Sequence, residues 1–90
     1  MGRQRSIEVI AEAEYVTIGE LVRLTDVRYS TLKFYTEEGL IPFEQAEENL
    51  TRRYERVSAI QRINEIRELR KNGLSMDQIK DKLLNLGSSK

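Results

Sequence analysis

Ninety residues make one small domain, near the lower end of what a single core stabilises without staples. The absence of cysteine rules out a disulfide framework and thiolate metal sites, and the absence of histidine removes the usual general base near neutral pH. Fifteen basic residues against fifteen acidic ones give zero formal charge, an uncommon balance for a nucleic-acid binder.

The charge is unevenly placed. Between Thr36 and Thr51 stand Glu37, Glu38, Glu44, Glu47 and Glu48 with no basic residue, whereas from Arg52 to Lys71 seven basic residues accompany three acidic ones. Part of that basic block, at Arg62, Arg67 and Arg70, reads as the solvated face of a helix. No apolar run approaches a membrane span, and residues 1–8 lack the apolar core of a signal peptide. A cytosolic, nucleoid-associated location is expected, with no metal or cofactor.

Residues 1–15 form an N-terminal arm in which Ile7, Val9 and Ile10 stand among charges, and periodicity does not decide between helix, strand and flexible chain. Thr17 with Glu20 makes a capping-box pattern that starts a helix over about 17–24, with Ile18, Leu21, Val22 and Leu24 on its apolar face. Thr25-Asp26-Val27 is a tight connection, Val27 its apolar plug. A second helix runs from about Arg28 to Glu38 and closes at Gly39, a favoured residue just past a helix end. On its wheel Arg28, Leu32, Tyr35 and Thr36 share one side; Tyr29, Ser30, Lys33 and Glu37 share the other, with Phe34 near its edge. Two short helices across a three-residue turn form a helix-turn-helix.

Pro42 keeps Ile41 extended, so Leu40-Ile41-Pro42-Phe43 leaves as a strand. Leu50-Thr51-Arg52-Arg53-Tyr54 returns as its partner, giving a hairpin, or wing, with its tip near Glu47 to Asn49. Val57, Ile60, Ile63, Ile66 and Leu69 then follow helical spacing to a stop at Asn72-Gly73. Ser75 caps a last helix whose buried stripe is Met76, Ile79, Leu83 and Leu86, and residues 87–90 are tail. The fold class is mainly α with a small β-hairpin: four helices plus a wing.

This order of elements, with Thr17-Ile18-Gly19-Glu20-Leu21, Leu24-Thr25, Thr31-Leu32-Lys33-Phe34-Tyr35, Glu38-Gly39-Leu40, Arg52-Arg53-Tyr54 and Gly73-Leu74-Ser75, resembles the winged helix-turn-helix DNA-binding domain of MerR-type transcription regulators over residues 16–86. The resemblance implies double-stranded DNA as partner, the second helix in the major groove and the wing on flanking phosphates. The chain departs from the family pattern in five places, one of them a residue added between Tyr54 and Ile60. Ser30 stands where an arginine or lysine is frequent, and Lys33 where arginine is usual. Glu44 and Gln45 replace a basic residue after the proline, and Leu50 and Thr51 replace a glycine and a tyrosine before the wing arginine.

Carried across, Lys33 and Arg52 are the leading DNA contacts, able to neutralise phosphate. Arg53 alternates with Arg52 along the strand, so one of the two can face the first helix. Tyr29 offers a ring to a thymine methyl or a phosphate, Ser30 a short hydroxyl to a base edge, and Arg28 a cation at the helix mouth. Tyr35 packs in the core with its hydroxyl toward phosphate. Tyr54 anchors the wing, and Thr17 caps a helix whose N–H groups could also hold a phosphate.

The function expected is sequence-dependent DNA binding in transcription regulation. Its rivals are an excisionase-like or architectural DNA-bending factor and a protein-interaction module without DNA binding. An enzyme is not expected, because Glu37 and Glu38 sit on a solvated helix end. The long helix that pairs such regulators is not in the sequence, so a dilute monomer is expected, with self-association on DNA or through a missing C-terminal helix.

Overall fold

The computed structural model describes residues 5–47 and 51–86. In chain order these form α1 (Ile7–Ile10), β1 (Tyr15–Val16), α2 (Ile18–Thr25), α3 (Tyr29–Glu37), β2 (Tyr54–Glu55), α4 (Arg56–Lys71) and α5 (Met76–Leu86). Expectations for the hairpin tip at Glu48 and Asn49, for Leu50, for the Leu86 side chain and for the 87–90 tail fall outside the described positions.

The helices start and stop where local chemistry dictates. Thr17 Oγ1 accepts from the Glu20 N–H at 3.2 Å while Glu20 Oε1 accepts from the Thr17 N–H at 3.0 Å, a complete capping box at the start of α2. Ser75 and Gln78 repeat the device before α5, at 3.2 Å and 2.8 Å. Both α3 and α4 end in a Schellman motif. Gly39, at φ +79°, lets its own N–H reach the Thr36 carbonyl and the Leu40 N–H reach the Tyr35 carbonyl. Gly73, at φ +96°, does the same with Arg70 and Leu69. In each case the leucine that follows folds back onto the core, Leu40 buried and Leu74 half-buried.

The core joins Leu21 of α2, Leu32 and Tyr35 of α3, Leu40 and Ile41 after it, Tyr54 of β2, Ala59, Ile63 and Ile66 of α4, and Ile79 of α5. Val57, assigned by spacing to the apolar stripe of α4, is 52% exposed. The helix starts at Arg56, and its phase runs through Ala59, Ile63 and Ile66 instead.

Two features add to what spacing alone resolves. A fifth helix, α1, is capped by Ser6 and drives Ile10 fully into the core, so the folded unit includes residues ahead of 16. The sheet is also not the local hairpin alone. Tyr15 and Val16 pair antiparallel with Glu55 and Tyr54, while among the described residues the wing closes by a bridge between Glu44 and Arg53. The returning strand thus has neighbours on both edges, and the N-terminal segment supplies one of them.

Candidate nucleic-acid interface

α2 and α3 meet across a short connection in which Asp26 takes a left-handed conformation at φ +62°. Burial of Leu32, Tyr35 and Thr36 fixes the rotation of α3 and turns Tyr29, Ser30 and Lys33 outward. Tyr29 is 55% exposed, a large ring with no core role. Arg28 lies outside the helix, as its exposed N-cap, and makes no side-chain cap. The first N–H groups of α3 therefore lack a capping side chain, which leaves them, with the guanidinium, suited to an anion.

The wing is held against this helix by Tyr54. Its ring is buried, its centroid lies 6.1 Å from that of Phe43, and its hydroxyl lies 2.9 Å from Thr36 Oγ1. The guanidinium of Arg52 rests 4.7 Å from the Phe43 ring centroid, and that of Arg53 rests 5.0 Å from the Tyr15 ring centroid. Neighbours on a strand point to opposite faces, so the two arginines part company. Arg52 joins Tyr29, Lys33, Ile18, Gln45, Thr51 and Tyr54 around one open cleft between α3 and the wing. Arg53 lines a separate hollow with Glu44, Gln45, Ala46 and Thr51.

Of the residues singled out in the sequence, Tyr29, Lys33 and Arg52 thus converge, and Arg28 and Ser30 lie exposed at the start of α3. Arg53 lies on the other face of the wing. Tyr35 is 6% exposed, which leaves little of it open to a partner, and Thr17 is engaged in its capping box. Phe43 beneath Arg52 was not anticipated as part of the site, nor was Glu37. Glu37 Oε2 accepts from Lys33 Nζ at 2.9 Å. That hydrogen bond, with the charges of Lys33 and Arg52, holds the Glu37 carboxyl below its ordinary range.

Much of the basic block after the wing serves the fold instead. Arg56 Nε donates to the Ala13 carbonyl at 2.7 Å, Arg62 to the Leu40 carbonyl at 2.9 Å, and Arg67 to the Thr25 carbonyl at 3.1 Å. These carbonyls lie beside β1 and at the ends of α3 and α2, where backbone acceptors lack helical partners and attract cations. Sequence spacing alone gave the same pattern as a solvated face.

Among the described residues no three metal-ligating side chains converge, and no helix is long and apolar enough to cross a membrane. The MerR HTH family regulatory protein model matches residues 16–86. An HTH-type transcriptional activator SoxR homolog from Chromobacterium violaceum is 39% identical over 79 residues, which is 88% of this chain and 52% of that protein. The chain therefore spans about half the length of this curated relative. No solved structure matches it. With its winged helix-turn-helix fold and a family match over most of its length, the chain belongs to the MerR family of helix-turn-helix regulatory proteins, a regulatory and not an enzymatic family.

Proposed function

We propose that this domain binds double-stranded DNA in sequence-dependent transcription regulation, with α3 entering the major groove and the wing lying on the flanking backbone. The observation that carries this reading is the convergence of Tyr29 and Lys33 from α3 with Arg52 from the wing on one open cleft. A helix fits the major groove, where base edges carry a distinguishable pattern of donors, acceptors and methyl groups. Tyr29 and Ser30 are the side chains that read base edges. Lys33 reaches guanine or phosphate, and Arg52 holds phosphate at the groove's edge. Arg28 and the uncapped start of α3 add a second phosphate site.

Membership of a regulatory family supports the reading, as does the transcriptional activator to which the chain is similar. The domain alone is a monomer in dilute solution, and copies associate on DNA. Fluorescence anisotropy against a duplex library at several salt concentrations tests the proposal. The expected result is binding that weakens steeply with salt, together with a selectable site held more tightly than random duplex. Failure to bind any duplex at low salt overturns it and leaves the protein-interaction reading.

A further inference from the structure

The face assigned to DNA carries its own anion. Glu37 follows Lys33 by one helical turn, with Glu37 Oε2 2.9 Å from Lys33 Nζ and the two side chains 53% and 52% exposed respectively. Among the described residues Glu37 bonds only to Lys33, and it caps no helix end. Its carboxyl is held below the ordinary range first by Lys33, and the wing cation Arg52 adds to the effect. Glu37 thus pairs with one cation of the cleft and feels the charge of the other, while contributing nothing to the core.

We infer that Glu37 competes with DNA phosphates for Lys33 and so limits the affinity of this domain for duplex of any sequence. The inference rests on the DNA-binding reading above. Moving Lys33 from Glu37 to a phosphate exchanges one oxygen anion for another, so the gain is small. The released carboxylate must then face the phosphates or recruit a cation from solution. Cation uptake offsets one of the counterions that DNA releases on binding, which flattens the salt dependence. A chain of zero formal charge that places a glutamate beside its groove-reading lysine holds DNA more loosely than its count of exposed cations implies.

The test is Glu37→Gln, which keeps the size of the side chain and removes its charge, with circular dichroism melting to verify the fold. Anisotropy titrations of the 90-residue chain would use random-sequence duplex and the selected site over a range of salt. Glu37→Gln is expected to tighten both duplexes by similar factors, on the order of five- to tenfold at low salt, and to steepen the salt slope by about one unit. In a Lys33→Ala background the gain should largely vanish. Unchanged or weakened binding overturns the inference, as does tightening confined to one sequence or a full gain retained without Lys33. If wild type binds duplex and Glu37→Gln does not differ, only this inference falls. If neither protein binds any duplex, the DNA-binding reading falls and takes the inference with it.

Discussion

The Tyr54 hydroxyl lies 2.9 Å from Thr36 Oγ1, and Thr36 Oγ1 donates to the Leu32 carbonyl at 2.8 Å. Threonine has one hydroxyl hydrogen, already committed to Leu32, so Tyr54 is the donor of the pair. This buried chain of hydrogen bonds ties the foot of the wing to the inner face of α3, the two elements that bring Arg52 and Lys33 to one cleft.

Removing either end of that chain has unequal consequences. Tyr54→Phe takes away a donor and leaves Thr36 still bonded to Leu32, at a cost of about 1 kcal/mol. Thr36→Val strands the Tyr54 hydroxyl in a buried site, at a cost of about 1–3 kcal/mol. The double variant should be less destabilised than the sum of the two single ones, since no orphaned hydroxyl remains. Denaturant melts of the three proteins check this, and strict additivity would show that the pair is not coupled.

What could be read in the sequence was local. Thr17 with Glu20, Ser75 with Gln78, and Gly39 and Gly73 act within one turn of a helix end, so spacing alone exposes them. Leu32 and Tyr35 follow helical spacing and fix which side of α3 faces out. Pairing of Tyr15 and Val16 with Glu55 and Tyr54 is different. It joins two-residue strands far apart in the chain, too short for alternation to register. The roles of Arg56, Arg62 and Arg67 were hidden for another reason. Their partners are backbone carbonyls, which carry no sequence signature. Glu37, at four residues from Lys33, had a legible spacing, but its significance depends on Arg52 arriving from the wing.

The N-terminal segment should loosen first in acid. Arg5 grips both oxygens of Glu20, at 2.9 Å and 2.7 Å, and the Glu20 side chain is only 14% exposed. The Arg5 hydrogen bond, aided by those from Thr17, holds the Glu20 carboxyl below its ordinary value of 4.5. In the unfolded chain Glu20 takes up its proton at the higher, ordinary value, so the stabilisation is full above about pH 5. It is lost progressively as pH falls through 4.5 toward the folded value. Glu20→Gln retains an acceptor for the Thr17 N–H but not the charge. Its melting temperature should therefore fall less than that of wild type between about pH 5 and pH 3. Parallel curves would show that Glu20 does not carry this pH dependence.

Arg67 offers a contrast with the wing. Its guanidinium meets the Thr25 carbonyl at 3.1 Å, at the end of α2, and lines none of the cleft between α3 and the wing. Arg67→Ala should cost about 1–2 kcal/mol of stability. Its affinity for duplex DNA, measured well below the melting point, should stay within about twofold of wild type, as expected of a cation remote from the interface. A marked loss of affinity with an unchanged melt would place the DNA contact on α4 as well.

Arg52 and Tyr29 separate affinity from discrimination. Arg52 stacks on Phe43 at the edge of the cleft, and Tyr29 projects from the first turn of α3. Phosphate contacts weaken every sequence alike, whereas base contacts alter preference at one position. Arg52→Ala should therefore weaken the selected site and random duplex by similar factors and lower the salt slope by about one unit. Tyr29→Ala should spare random duplex and cost about 1–3 kcal/mol on the selected site, narrowing the ratio between them. Lys33→Ala can follow either pattern, because a lysine there reaches both guanine and phosphate, and the salt slope tells which. Salt titrations of the three variants on both duplexes decide the assignment. If Arg52→Ala leaves both affinities unchanged, the wing is not a DNA contact, and the cleft is better read as a surface for another protein.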